Sequence, residues 1–92
     1  MNATKKLKSE EYNGWPSKAH WNVNLWLNND EGTYLAMLGA IKDNGVKEGT
    51  RVLFQRLKGT WKWDGSKNEL RTPDGILVTH AVLEYCLEAE ME

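Results

Sequence analysis

The sequence predicts a mainly helical α+β fold in one small domain: three helices, a short β-hairpin, then a C-terminal helix. Three observations carry that expectation. Apolar residues recur at helical spacing between residues 33 and 58, turn chemistry and alternation replace that period between 60 and 78, and the helical period returns after Thr79. A chain of 92 residues is of single-domain size. Residues 1–12 read as a flexible polar arm and 13–92 as one compact domain.

The elements follow in order. Asn13-Gly14 signals a turn, and Trp15 ahead of Pro16 is biased to extended backbone. Ser17 is a suitable cap for a helix beginning at Lys18. In "HWNVNLWLN", residues 20–28, Trp21, Val23, Leu25 and Leu27 alternate as in a strand. Trp21 with Leu25, and Val23 with Trp26 and Leu27, also satisfy helical spacing, and asparagine's propensities barely separate the two. We take helix. Its apolar groups then point nearly all round the axis, which makes it a central, heavily buried element with Trp21 and Trp26 in the core.

Asn29 or Asp30 caps the second helix, whose stripe is Tyr34, Met37, Leu38 and Ile41. Asn44-Gly45 ends it as a left-handed stop. A third helix, about Lys47 to Lys58, turns Leu53, Phe54 and Leu57 inward and Arg51, Gln55 and Lys58 outward, with Gly59 closing it. "TWKWDGSKN" and "LRTPDGILV" then carry Asp-Gly and Pro-Asp-Gly turns between short apolar runs, the mark of a hairpin or two-stranded ribbon. Thr79 caps the last helix, with Val82, Tyr85, Cys86 and Ala89 on its inner face and Glu84 and Glu88 outside.

Composition bounds the function. The net charge of −1 argues against both a strongly basic coat and an acidic DNA-mimicking shell. That sum hides a split: residues 42–71 carry eight basic and four acidic side chains, whereas residues 72–92 carry five acidic ones and no Lys or Arg. The two regions can simply complement each other on one surface. The lone Cys86 allows no internal disulfide and reads as a small core residue. No apolar run reaches membrane-span length, and the basic start lacks an apolar segment behind it. We therefore expect a location in a reducing cytoplasm.

No catalytic constellation stands out. His20 and His80 are sixty residues apart with no paired ligand spacing, and no nucleophile elbow, phosphate loop or dinucleotide fingerprint is present. We expect no enzyme activity, no metal and no cofactor. Two surfaces remain. Residues 33–71 read as helix, Asp-Asn-Gly turn, helix and Lys/Trp-rich hairpin, an order that resembles a winged helix-turn-helix. Lys47, Arg51, Gln55, Arg56, Lys58 and Lys62 would then contact DNA or RNA. A plain helical hairpin with a solvated basic face fits the same pattern, and the low total charge weighs against nucleic acid. Trp61 and Trp63 share one face of the ribbon with Lys62 on the other, either as core or as an exposed aromatic anchor.

Residues 12–34, "YNGWPSKAHWNVNLWLNNDEGTY", hold three of the five tryptophans. This stretch resembles a motif of small, mostly uncharacterised proteins of phages, prophages and plasmids, which read Tyr-Asn-Gly-Trp, then Thr-Trp-x-Val-x-Leu-Trp, then Asn-Asp-Glu-Gly-x-Tyr. The match comprises Tyr12 to Trp15, Trp21, Val23, Leu25, Trp26, Asn29 to Gly32 and Tyr34; Pro16, the "SKAH" run and His20 in place of Thr depart from it. The resemblance implies a mobile-element accessory protein that binds and inhibits or adapts a host protein complex, such as a CRISPR or restriction nucleoprotein. Asn13, Trp15, Asn28, Asn29, Asp30, Trp61 and Trp63 are the expected partner-binding residues, rigid anchors beside adaptable hydrogen-bonding groups.

Overall fold

A computed structural model describes residues 14–92. Helix α1 spans Lys18–Asn29, and Ser17 caps it by accepting the His20 N–H on its hydroxyl. Helix α2 spans Glu31–Leu57, and the Asp30 carboxylate accepts from Thr33 N–H at its start. Strands β1 (Lys62–Asp64), β2 (Glu69–Arg71) and β3 (Leu77–Val78) form an antiparallel meander in that order. Helix α3 (His80–Met91) closes the chain, with Thr79 accepting from Val82 N–H. The arm expected over residues 1–12 lies outside the described residues.

The order of elements corrects the sequence expectation. Among the described residues two helices precede the strands, not three, because residues 31–57 form one element across the Asn44-Gly45 turn. Gly45 alone leaves the helical region, at φ 81° and ψ 174°, a conformation open essentially to glycine. One residue thus absorbs the whole reversal, and the hydrogen-bonded ladders on either side meet without an intervening loop. The two arms, 31–44 and 46–57, then lie against each other. Gly49 sits so close that a Cβ there would meet the Ala40 carbonyl oxygen at 2.8 Å. Asp30, Thr33 and Ala36 line one crevice with Leu53, Leu57 and Thr60, so the arms run antiparallel.

The expected hairpin gains a third strand. Thr72-Pro73-Asp74-Gly75 turns the chain, with Gly75 N–H bonded to Thr72 C=O at 2.8 Å and Gly75 at φ 91°. Ile76 C=O then accepts from Thr72 N–H, and β3 pairs with β2. Trp63, Leu70 and Val78 stand in register and face the core, whereas Lys62, Arg71 and Leu77 face outward.

Residues 20–28 are helical, but α1 is not enclosed all round. Val23 and Leu27, four apart, are fully buried, while Trp21 and Trp26 are half-buried and Leu25 is exposed. Among the described residues, α2, α3 and β3 pack against α1. The inner face of α3 is likewise rotated from expectation: Leu83, Cys86 and Leu87 are buried, and Tyr85 is exposed. The remaining core is Met37, Ala40, Ile41, Leu53, Phe54, Leu57, Trp61, Leu70 and Val78. Each such leucine is worth about 1.5–3 kcal/mol on burial.

Candidate functional site

The sequence-derived residues fall into separate places. Asn13 lies outside the described residues. Trp15 packs edge-on against Tyr85, with centroids 5.9 Å apart, and Tyr85 meets the His20 ring at 4.8 Å. His20 Nδ1 also bonds the Ser17 hydroxyl at 2.7 Å, a reciprocal cap that fixes the ring at the start of α1. Burial lowers the His20 pKa from its ordinary value. Trp15, His20 and Tyr85 therefore form one aromatic surface, with Tyr85 46% exposed.

Asn28, Asn29 and Asp30 sit at the far end of α1, about 18 Å away at 1.5 Å per residue. Asn28 and Asp30 make local structural bonds there. Asn28 donates to the Asn24 carbonyl and side-chain oxygens. Asp30 accepts from both the hydroxyl and the N–H of Thr33, and those bonds hold its carboxyl below the usual range.

Trp61 is only 8% exposed and belongs to the core, so its indole does not present an exposed anchor. Trp63 is half-buried and carries the Lys58 ammonium 4.2 Å above its ring. Lys58 Nζ also stands 5.8 Å from the Phe54 ring, and His80 stacks on Phe54 at 4.1 Å with the planes 17° apart. Trp63, Lys58, Phe54 and His80 thus make a continuous aromatic and cationic cluster. Phe54 and His80 were not flagged as a pair by sequence; twenty-six positions separate them.

A cleft of about 500 Å3 opens on this cluster, lined by Phe54, Gln55, Lys58, Asn68, Leu77 and His80 among others. A second, of about 320 Å3, adjoins it through the shared Gln55 and His80 and is lined by Glu48, Arg51 and Val52. Lys47, Arg51, Gln55 and Lys58 follow a spacing of four, four and three, so they share one face of the second arm of α2. Arg56 does not; it lines crevices with Ala36 on the opposite side. Lys62 lies on the outer face of the sheet, apart from Trp63. The antiparallel arms leave the second one backed by the first along its length, unlike the projecting recognition helix of a helix-turn-helix.

A node that sequence reasoning missed ties α1 to the sheet. One Asp74 carboxylate oxygen accepts from Asn22 Nδ2 at 2.8 Å and from the Trp26 indole N–H at 2.9 Å. Those two bonds hold the Asp74 carboxyl below its ordinary range. Asn22 is 2% exposed, and its Oδ1 has no hydrogen-bond partner among the described residues. Among the described residues, no group of three or more His, Cys, Asp or Glu is placed to hold a metal ion, and no helix is long and apolar enough to cross a membrane.

The class defined by this geometry is a small α+β domain that carries two aromatic clusters, Trp15–His20–Tyr85 and Phe54–His80. The model of a family of unknown function, DUF7249, matches residues 8–67, and the chain belongs to that family. The matched span covers α1, α2 and β1; Asp74, His80 and Tyr85 lie beyond it. No curated protein and no solved structure matches the chain.

Proposed function

We propose that this protein is a non-enzymatic accessory protein of phages or other mobile elements. In this reading it binds a protein complex in the cytoplasm of a bacterial host and inhibits or adapts it, in an anti-defence role against a CRISPR or restriction system. The observation that carries the reading is the Trp15–Tyr85–His20 surface. Three rings order one another there, and Tyr85 stays 46% exposed. Pre-ordered aromatics lose little freedom on contact, and interface energy concentrates on such residues. The resemblance of residues 12–34 to mobile-element proteins supplies the biological setting.

Affinity purification of the tagged protein from an expressing host is the direct test. One dominant protein partner is expected at mild salt, lost on Tyr85→Ala and Trp15→Ala. Expression should also restore phage plating on a host that carries the targeted defence. Recovery of nucleic acid alone, or of nothing, counts against this reading.

A further inference from the structure

We propose that the paired clefts between the second arm of α2 and the start of α3 bind single-stranded nucleic acid, at a site separate from the Trp15 surface. Non-sequence-specific single-strand sites combine a cationic track for phosphates with aromatic faces on which bases stack. Both parts meet here. Lys47, Arg51, Gln55 and Lys58 line one face over about 16 Å, at 1.5 Å per residue. Beside that track the exposed His80 ring lies flat on buried Phe54, and it lines both clefts.

The charges favour an anion. Lys58 rests over the Trp63 ring and, among the described residues, pairs with no carboxylate. Two acids also line the clefts, Glu48 and Glu69. Glu69 is engaged by Arg71 at 3.1 Å. Glu48 lies 3.4 Å from Arg51, but both side chains are largely exposed, and such pairs yield readily to a competing phosphate. Of the five acids of residues 72–92, Glu84 stands one turn from His80 on the same face of α3 but lines neither cleft, Glu88, Glu90 and Glu92 lie more than two turns from His80, and Asp74 is taken by Asn22 and Trp26.

An unpaired strand fits better than a duplex. A stacking platform can be used only by a base that has left its own stack, and the second arm of α2 is backed by the first instead of projecting into a groove. An acidic peptide would use the cations but leave the His80–Phe54 stack idle.

Fluorescence anisotropy of the full chain with labelled oligo-dT of roughly a dozen nucleotides tests the assignment. Binding should weaken steeply as salt rises. Arg51→Gln with Lys58→Gln should lower affinity by roughly tenfold or more and flatten the salt dependence. His80→Ala should lower it by about fivefold or more, the loss of one stacked base. Arg56→Gln and Trp15→Ala should leave it unchanged, so failure here and failure of the protein-binding reading are distinguishable. Thermal melts check folding, and Arg51→Gln alone, on an exposed side chain, carries the charge test if Lys58→Gln is unstable. No binding at low salt, equal binding of a blunt duplex or of poly-glutamate, or full affinity in His80→Ala would overturn the proposal.

Discussion

Asp74 shows what a single exposed side chain can hold in place. Its carboxylate satisfies the Asn22 amide and the Trp26 indole across 52 and 48 positions, so it fastens the β2–β3 turn to α1. We expect Asp74→Ala to leave the buried Asn22 amide without its acceptor, a loss of about 1–3 kcal/mol in that group's desolvation. Trp26→Phe replaces the indole by a smaller aromatic ring and removes one donor while the Asn22–Asp74 bond remains, so its melting temperature should fall less. If the order of the two melts is reversed, the node is not what couples turn to helix. Nothing in the sequence marks this contact: the Pro-Asp-Gly signal foretells a turn, and the tie between its aspartate and two α1 residues exists only once the turn lies over α1. Cys86 was legible, by contrast, because its place in an apolar period speaks for burial. That burial pushes its thiol up to about 12. Alkylation of the native protein at pH 8 should accordingly be far slower than of the unfolded chain, a comparison that iodoacetamide and mass spectrometry would make.

At the scale of elements, periodicity and caps were readable and the joins between elements were not. Ser17, Asp30 and Thr79 each cap the helix they were expected to start, because a short polar side chain before an apolar period is a local signal. The arms around Gly45 carried the expected stripes, with Leu53, Phe54 and Leu57 buried. That both arms would count as one helix depends on a single φ/ψ pair, and the third strand depends on where a turn aims the chain. Rotation of α3 is a similar case: two candidate faces were apolar, and packing against α2 chose Leu83, Cys86 and Leu87. The close approach of the arms makes opposite forecasts for two helical glycines. Gly39→Ala meets nothing within 4 Å and should stabilise by about 0.5–1 kcal/mol through helix propensity. Gly49→Ala places a methyl 2.8 Å from the Ala40 carbonyl oxygen, which is backbone and cannot swing aside. We expect it to destabilise by about 1–3 kcal/mol despite the same propensity gain. Denaturant melts of the two variants should move in opposite directions; a shift of the same sign would mean that the arms can separate freely.

Over the whole molecule, the basic stretch 42–71 packs against the acidic stretch 72–92, a contact that the sequence shows only as a charge split. Lys58 and His80 meet where the end of α2 joins the start of α3, while Glu90 reaches the first arm of α2 and accepts from the Tyr34 hydroxyl at 3.1 Å. The candidate clefts were therefore half legible: the cations were in view, and the aromatic platform that gives them a use was not. The same distribution sets how stability depends on pH. Burial lowers the His20 pKa below 6.5, so the unfolded chain binds more protons than the folded one as the pH drops through that region. The His20 contribution is complete above about 6.5 and is lost as the pH falls toward the lower folded value. Hydrogen bonds hold Asp30, Asp64 and Asp74 below 3.8, so their contributions persist above that value and disappear in a second, more acidic step. On the alkaline side, the bond to the Glu90 carboxylate raises Tyr34 above 10.0, so its contribution is present below that value and is lost as the pH rises through the folded one. We therefore expect a plateau in melting temperature between about pH 6.5 and 10, with a shallow first decline below it. His20→Gln should remove that first decline and leave the one below about pH 3.8, and Tyr34→Phe should extend the alkaline limit. Parallel declines of the wild type and His20→Gln from pH 7 to 5 would show that another group drives the acid response.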